Sequence, residues 1–332
     1  MTDLRVLYAL EITPEDEVYF RSIINDGIEL ECMHCKTPED LADVVEGFEV
    51  VIAGRANRET LKKAPGLKWF IVPWAGINRR TRDALLERPD ITVLNSHFNA
   101  GLVAEHTWAL ILACAKRIVE YHGRLSRGDW AREMGEDGGV GLDGKTLVII
   151  GYGTVGRAVA ARAPAFGMTA LGVRRTPGTA CDGDVKVTGP EGLEDLLKSA
   201  DVVVACLPDT KDTEGLVGEF EIRLLGPDTI FINVGRGKSV NEEALFTALK
   251  EGRIRSAGLD TWYNYSTGDD ERRCTMPSNL PFWEMENVVM SPHRATYIEG
   301  REQIRIRDVA EKINAIARGS TPPDIVDLSR GY

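Results

Sequence analysis

Three short stretches hold residues whose types and spacing could do chemistry. In Val148-Ile-Ile-Gly-Tyr-Gly-Thr-Val-Gly-Arg157, Gly151, Gly153 and Gly156 stand at G-x-G-x-x-G spacing behind an apolar run. A strand, a glycine turn and a helix predicted from Thr154 to about Phe166 make a dinucleotide-binding fingerprint. Gly151 permits the tight turn, Gly153 admits a pyrophosphate to the backbone, and Gly156 lets the helix pack on the strand. The helix start aims free N–H groups and its positive dipole end at phosphate. Arg236 follows a second apolar run and lies between two glycines that leave its side chain unobstructed. A guanidinium there suits a bidentate contact with carboxylate-type oxygens. His293 follows Pro292 at the end of a third apolar run. Strand ends on a parallel sheet's carboxyl edge are where ligands bind, and an imidazole can give and take a proton near neutrality.

Other patterns are weaker. Gly237-Lys-Ser239 lacks the earlier glycine of a P-loop, since position 232 is Ile. Cys32-Met-His-Cys35 has no second cysteine or histidine pair to complete a zinc site, so no metal is expected. The six cysteines are scattered, as in a reduced cytoplasmic protein. A net charge of -11 disfavours nucleic acid and anionic membrane as partners, and no apolar run is long enough to span a bilayer. Nothing at the start reads as a signal peptide.

The elements that position these residues read as α/β. Leu4–Leu10, Val50–Ala53, Trp69–Val72 and Ile91–Leu94 are short apolar runs separated by polar, helix-compatible stretches. Thr13-Pro14 opens one helix. One long helix is expected from about Ala100 to Leu125 as a bridge between domains. A second series of strands follows: Leu147–Ile150, Thr169–Val173, Val202–Cys206, Ile230–Val234, Ser256–Asp260 and Val288–Ser291. Ile306, Val309, Ile313 and Ile316 recur at helical spacing, and the short tail after them returns to the first domain. The expectation is two Rossmann-like domains with a cleft between them. A discontinuous flavodoxin-like substrate domain takes 1–98 and 296–332, and a doubly wound dinucleotide-binding domain takes 99–295.

Gly151-Tyr-Gly-Thr-Val-Gly156, Asn233-Val-Gly-Arg-Gly237, Gly258-Leu-Asp260 and Ser291-Pro-His293 follow one another in this order, with Val103-Ala-Glu-His106, Leu207-Pro208 and Gly331-Tyr332 around them. In that order the chain resembles the D-isomer-specific 2-hydroxyacid dehydrogenase family, and within it the glyoxylate/hydroxypyruvate reductases. The resemblance implies hydride transfer between a nicotinamide and the carbon of a 2-oxo or 2-hydroxy acid. It makes Arg236 the group that binds and polarises the substrate and His293 the proton donor. It assigns Gly151, Gly153, Thr154, Val155, Gly156, Leu207, Pro208, Val234 and Asp260 to the cofactor, with Asp260 near the nicotinamide carboxamide. Val72-Pro-Trp-Ala-Gly-Ile77 resembles the family's carboxylate-binding loop. There Ala75 and Gly76 would offer N–H groups, Trp74 an apolar wall, and Arg55 an added charge. His97 and Asn99 fall near the expected hinge.

The family normally pairs its histidine with a glutamate five residues beyond the aspartate, and here that position is Tyr265. Asp269, Asp270 or Glu271 would have to reach back to replace it. An unpaired His293 would lose the partner that raises its pKa and holds its tautomer. At the end of the second strand, Arg174, followed by Arg175, stands where NAD-binding domains carry an acid for the ribose hydroxyl. They suit a 2′-phosphate, so NADP is expected, with NAD possible. The resemblance further implies a homodimer formed through the cofactor domain, and disfavours a long, regulated phosphoglycerate enzyme. The family also includes a dinucleotide-binding corepressor, so the alternative is a sensor or scaffold with little turnover.

Overall fold

The computed structural model describes residues 4–130, 138–176, 181–266 and 274–329. The chain divides into two compact units, Met1–Asn99 with Tyr297–Tyr332, and Ala100–Thr296.

The first unit is a parallel sheet of β1 (Leu4–Tyr8), β2 (Ile28–Cys32), β3 (Val50–Ile52), β4 (Trp69–Ile71) and β5 (Thr92–Leu94), in the order β2-β1-β3-β4-β5. This is the flavodoxin-like order. The central strand β3 is apolar and fully buried, as a sheet covered on both faces requires. Its first two helices start on side-chain caps. Thr13 accepts the Asp16 N–H at 3.1 Å before Pro14–Ile23. Thr37 and Asp40 form a reciprocal capping box before Pro38–Val44. The helix Arg301–Ala317 buries Ile306, Val309, Ile313 and Ile316 against Val6, Tyr8 and Phe20. The tail then pairs antiparallel with the β5 edge, Val326 N–H donating to Val93 carbonyl at 2.9 Å.

The second unit contains β6 (Thr146–Ile150), β7 (Thr169–Val173), β8 (Cys181–Asp182), β9 (Val185–Thr188), β10 (Val202–Ala205), β11 (Ile230–Asn233), β12 (Ser256–Leu259) and β13 (Val288–Met290). They form one sheet in the order β13-β12-β11-β10-β6-β7-β9-β8, parallel except for the β8–β9 pair. The strand order reverses between the parallel neighbours β6 and β10, the switch point where such sheets bind dinucleotides. Trp108 ties the helix Ala100–Ala115 to this region. Its indole N–H donates to Val159 carbonyl at 3.0 Å, and its ring stacks on Phe166 at 4.3 Å.

Two helices are shorter than the sequence suggests. The helix opened by the glycine turn ends at Ala160 and continues only as a 3-10 turn over Ala163–Phe166. Pro164 explains the break, because it has no N–H and crowds the preceding turn. The expected single helix from Ala100 to Leu125 is two, Ala100–Ala115 and Ile118–Leu125. Arg117 separates them in a left-handed conformation (φ 52°), with its guanidinium on both carboxylate oxygens of Glu120 at 2.6 Å. Strands β2, β8 and β9 are additional to those expected. Among the described residues no helix is long and apolar enough to cross a membrane, and no cluster could hold a metal. Burial pushes the Cys32 thiol up to about 11.

Candidate active site

The carboxyl ends of β6, β10 and β11 meet backbone to backbone. Gly151 takes φ +93°, and a methyl placed on it would lie 2.8 Å from Cys206 carbonyl. A methyl on Gly156 would lie 2.8 Å from Gly151 carbonyl, so the helix start packs directly on the turn. A methyl on Gly153 would meet nothing within 4 Å. The N–H groups of Thr154, Val155 and Gly156 have no acceptor among the described residues. Free donors beside open space fit an anionic diphosphate. Leu207 and Val234 are buried beside this turn, and Pro208 carbonyl accepts the Thr213 hydroxyl at 2.6 Å.

Arg174 lies half-buried at the end of β7, its N–H bonded to Thr188 carbonyl at 3.1 Å. Arg175 is exposed and lies 3.4 Å from Asp212, also exposed, a pairing that solvent screens heavily.

Arg236 stands on a turn built by long-range contacts. A methyl on Gly235 would fall 2.5 Å from Leu207 N, and one on Gly237 would fall 2.1 Å from Trp262 carbonyl. Neighbouring backbones press on the turn at both glycines, a packing demand beyond leaving the Arg236 side chain unobstructed. Arg236 carbonyl accepts Asn233 Nδ2 at 3.0 Å and Ser239 Oγ at 2.7 Å. The guanidinium donates to Gly235 carbonyl at 2.7 Å. Among the described residues it has no carboxylate partner.

His293 occupies the apex of the turn after β13, in a left-handed conformation (φ 56°) rare outside glycine. Four contacts pin the turn. Ser291 Oγ donates to Asp260 Oδ1 at 2.5 Å, and Arg294 N–H donates to the same oxygen at 2.9 Å. Ala295 N–H donates to Asp260 Oδ2 at 3.2 Å, and Trp262 Nε1 donates to Ser291 carbonyl at 2.8 Å. The Ser291 proton goes to Asp260, so His106 Nε2, 2.9 Å from Ser291 Oγ, is the donor in that contact. Burial alone would raise the Asp260 pKa. Hydrogen bonds from His106, Ser291 and Arg294 outweigh it and hold the carboxyl below its usual range. Asp260 is 1% exposed, with both oxygens engaged inside the turn.

Burial around the imidazole lowers the His293 pKa, and the charge of Arg236 adds to this, while Asp260 works in the opposite direction. His293 has no hydrogen-bond partner among the described residues. Its neighbour is Tyr265, with ring centroids 5.6 Å apart. Asp269, Asp270 and Glu271, the carboxylates that could reach back to His293, and Arg272 and Arg273 lie outside the described residues.

In the first unit, Arg55 is exposed after β3 and Trp74 lies in the loop after β4. Trp74 is 37% exposed, and its ring covers the Cα of Gly54, where a methyl would lie 2.1 Å from the indole. Asn95 Nδ2 holds Ala75 carbonyl at 2.9 Å. The N–H groups of Ala75 and Gly76 have no acceptor among the described residues. Burial lowers the pKa of the half-buried His97, which lies near Asp324, Lys312 and Asp308.

Sequence reading singled out Arg236 and His293 but gave no part to His106, Ser291, Asn233 or Trp262. His106 and Ser291 stood within the motifs, and only the packed structure shows that they form a relay, His106 to Ser291 to Asp260.

Residues 108–295, more than half of the chain, match the family described as D-isomer specific 2-hydroxyacid dehydrogenase, NAD binding domain. The chain belongs to that family. It is 29% identical to a glyoxylate reductase of Thermococcus gammatolerans, over 98% of this chain and 91% of the relative. It is 34% identical to a glyoxylate reductase of Thermococcus kodakarensis, over 85% of this chain and 83% of the relative. A solved D-isomer specific 2-hydroxyacid dehydrogenase from Lactobacillus delbrueckii ssp. bulgaricus, in its NAD complexed form, shares the fold. The TM-score is 0.78 at 23% identity, covering 97% of this chain and 99% of that one. The resemblance read from the motifs and the α/β class are both upheld. As a family member the chain is an oxidoreductase with a Rossmann domain for a nicotinamide dinucleotide.

Proposed function

We propose that the protein reduces a small 2-oxo acid, glyoxylate or hydroxypyruvate, to the D-2-hydroxy acid, with NADPH as the preferred cofactor. The observation that carries this reading is that Arg236, without a carboxylate partner among the described residues, and His293 both stand just past the carboxyl ends of strands of one parallel sheet. The names of the glyoxylate reductases support the substrate class.

Gly151, Gly153, Thr154, Val155 and Gly156 would hold the pyrophosphate, with Leu207, Pro208 and Val234 beside it. Arg174 and Arg175 would meet the 2′-phosphate. Arg174 is the stronger contributor, because Arg175 leans toward Asp212. The bound dinucleotide supplies the hydride. Arg236 takes the substrate's carboxylate and carbonyl oxygens and draws electron density from the carbonyl carbon. His293 delivers its proton to the oxygen that develops negative charge, and takes one back in oxidation. Asp260 keeps the His293 turn in place, which accounts for both of its oxygens, so we move it from the nicotinamide carboxamide to that positioning part. Ala75 and Gly76 offer N–H groups to a carboxylate, Trp74 an apolar face and Arg55 a charge.

We further propose a homodimer. The helix Ile118–Leu125 buries none of its residues, and Ile118, Val119, Leu125 and Trp130 are each at least half exposed. Its free cysteines suit a reducing cytoplasm. The test is the product. Hydroxypyruvate and NADPH should give D-glycerate by chiral chromatography; L-glycerate or unconsumed hydroxypyruvate would contradict the reading.

A further inference from the structure

Tyr265 stands where the family carries the glutamate that partners its histidine, and its contact with His293 is of another kind. The phenol ring lies 5.6 Å from the imidazole with the planes at 60°. Its hydroxyl oxygen accepts the Trp262 N–H at 3.1 Å. The indole of the same tryptophan donates to Ser291 carbonyl, two residues before His293. One residue therefore anchors both the phenol and the turn that carries the imidazole.

We propose that Tyr265 is a positioning residue for His293: its ring, anchored through Trp262, fixes the imidazole by packing in place of a carboxylate's hydrogen bond. The inference rests on the reading of His293 as proton donor. A carboxylate partner does two things at once: it orients the ring, and its charge stabilises the imidazolium. A phenol does only the first. Burial raises the Tyr265 pKa, so the ring stays neutral through the working range. Among the described residues, the charged groups that face His293 are Asp260 and Arg236, of opposite sign. The carboxylate of Asp260 is already bonded to Ser291, Arg294 and Ala295. The result is an oriented imidazole without the added negative charge, hence a stronger acid once protonated.

The experiment compares wild type, Y265F, Y265A and Y265E as full chains. The chain has five histidines, so the His293 imidazole signals can be identified by NMR through their loss in H293Q. The ring-current displacement from Tyr265 should persist in Y265F and vanish in Y265A. With NADPH and hydroxypyruvate, kcat of Y265A should fall by roughly ten- to a hundredfold with KM changed far less, as a misplaced catalytic group predicts. Y265F should restore most of that loss. Y265E should raise the His293 titration midpoint by about one unit and move the alkaline limb of kcat/KM with it. Wild-type kcat in Y265A, a loss confined to KM, or unmoved imidazole signals in Y265A would overturn the proposal. The NMR arm needs no turnover. An intact ring contact in a wild type that reduces no acid would overturn the reductase reading alone.

Discussion

Ser291 and Asp260 share a hydrogen bond of 2.5 Å, and the carboxylate oxygen that takes it also takes the Arg294 N–H. A buried acid from the end of one strand therefore spans the turn that presents His293. D260A would leave the Ser291 hydroxyl and two backbone N–H groups without an acceptor. We expect at least about 3 kcal/mol of lost stability by urea denaturation, each unmet buried donor costing about 1–3 kcal/mol. D260N should fold better and still lose activity, because it removes the charge that works to raise the His293 pKa. A D260A protein as stable as wild type would show that the clamp is unimportant.

The lowered His293 pKa sets a pH profile. Reduction needs the protonated imidazole, so its kcat/KM should be highest below His293's pKa, which burial holds below the ordinary imidazole range, and fall as pH rises through it. Oxidation needs the neutral form and should rise through the same point to a plateau. Reduction that stays flat well above neutrality would show that His293 has a charged partner or is not the donor.

Two glycines separate packing from binding. In G237A the added methyl would meet Trp262 carbonyl at 2.1 Å, so backbone must move and Arg236 with it. That variant should lose about 1–3 kcal/mol of stability, as overpacked sites do, and most of its kcat. In G153A the methyl meets no protein atom, so the melting temperature should hold while NADPH affinity falls. A G153A protein that binds NADPH as wild type does would remove the turn from the cofactor site.

R174D should invert the cofactor preference. Hydrogen bonds to a charged group are worth about 1.5–3 kcal/mol, so the loss in NADPH affinity should be roughly ten- to a hundredfold, with NADH affected much less. An equal effect on both dinucleotides, by fluorescence titration, would take Arg174 away from the 2′-phosphate.

The sequence shows the interior of this molecule more clearly than its edges. β10, β11 and β12 are fully buried and read as apolar runs. β2 lies at a sheet edge, where Ile28-Glu-Leu-Glu-Cys32 alternates with charge and is only partly buried. In the larger sheet β8 is an edge strand and β9 lies next to it, and both are short and only partly buried. The break at Pro164 was written in the sequence, but Arg117, a left-handed residue that is not glycine, carries no such mark. At the candidate site, Arg236 and His293 stand out by type and position. What holds them does not, because Trp262 carbonyl at Gly237 and Asp260 at Arg294 are contacts between residues far apart in the chain.

The most direct test of the account is the initial rate of NADPH and of NADH oxidation by the purified protein against a panel of 2-oxo acids. The account predicts turnover of glyoxylate or hydroxypyruvate, faster with NADPH than with NADH. Tight NADPH binding with no turnover of any acid would contradict it, and would make the protein a dinucleotide-dependent sensor.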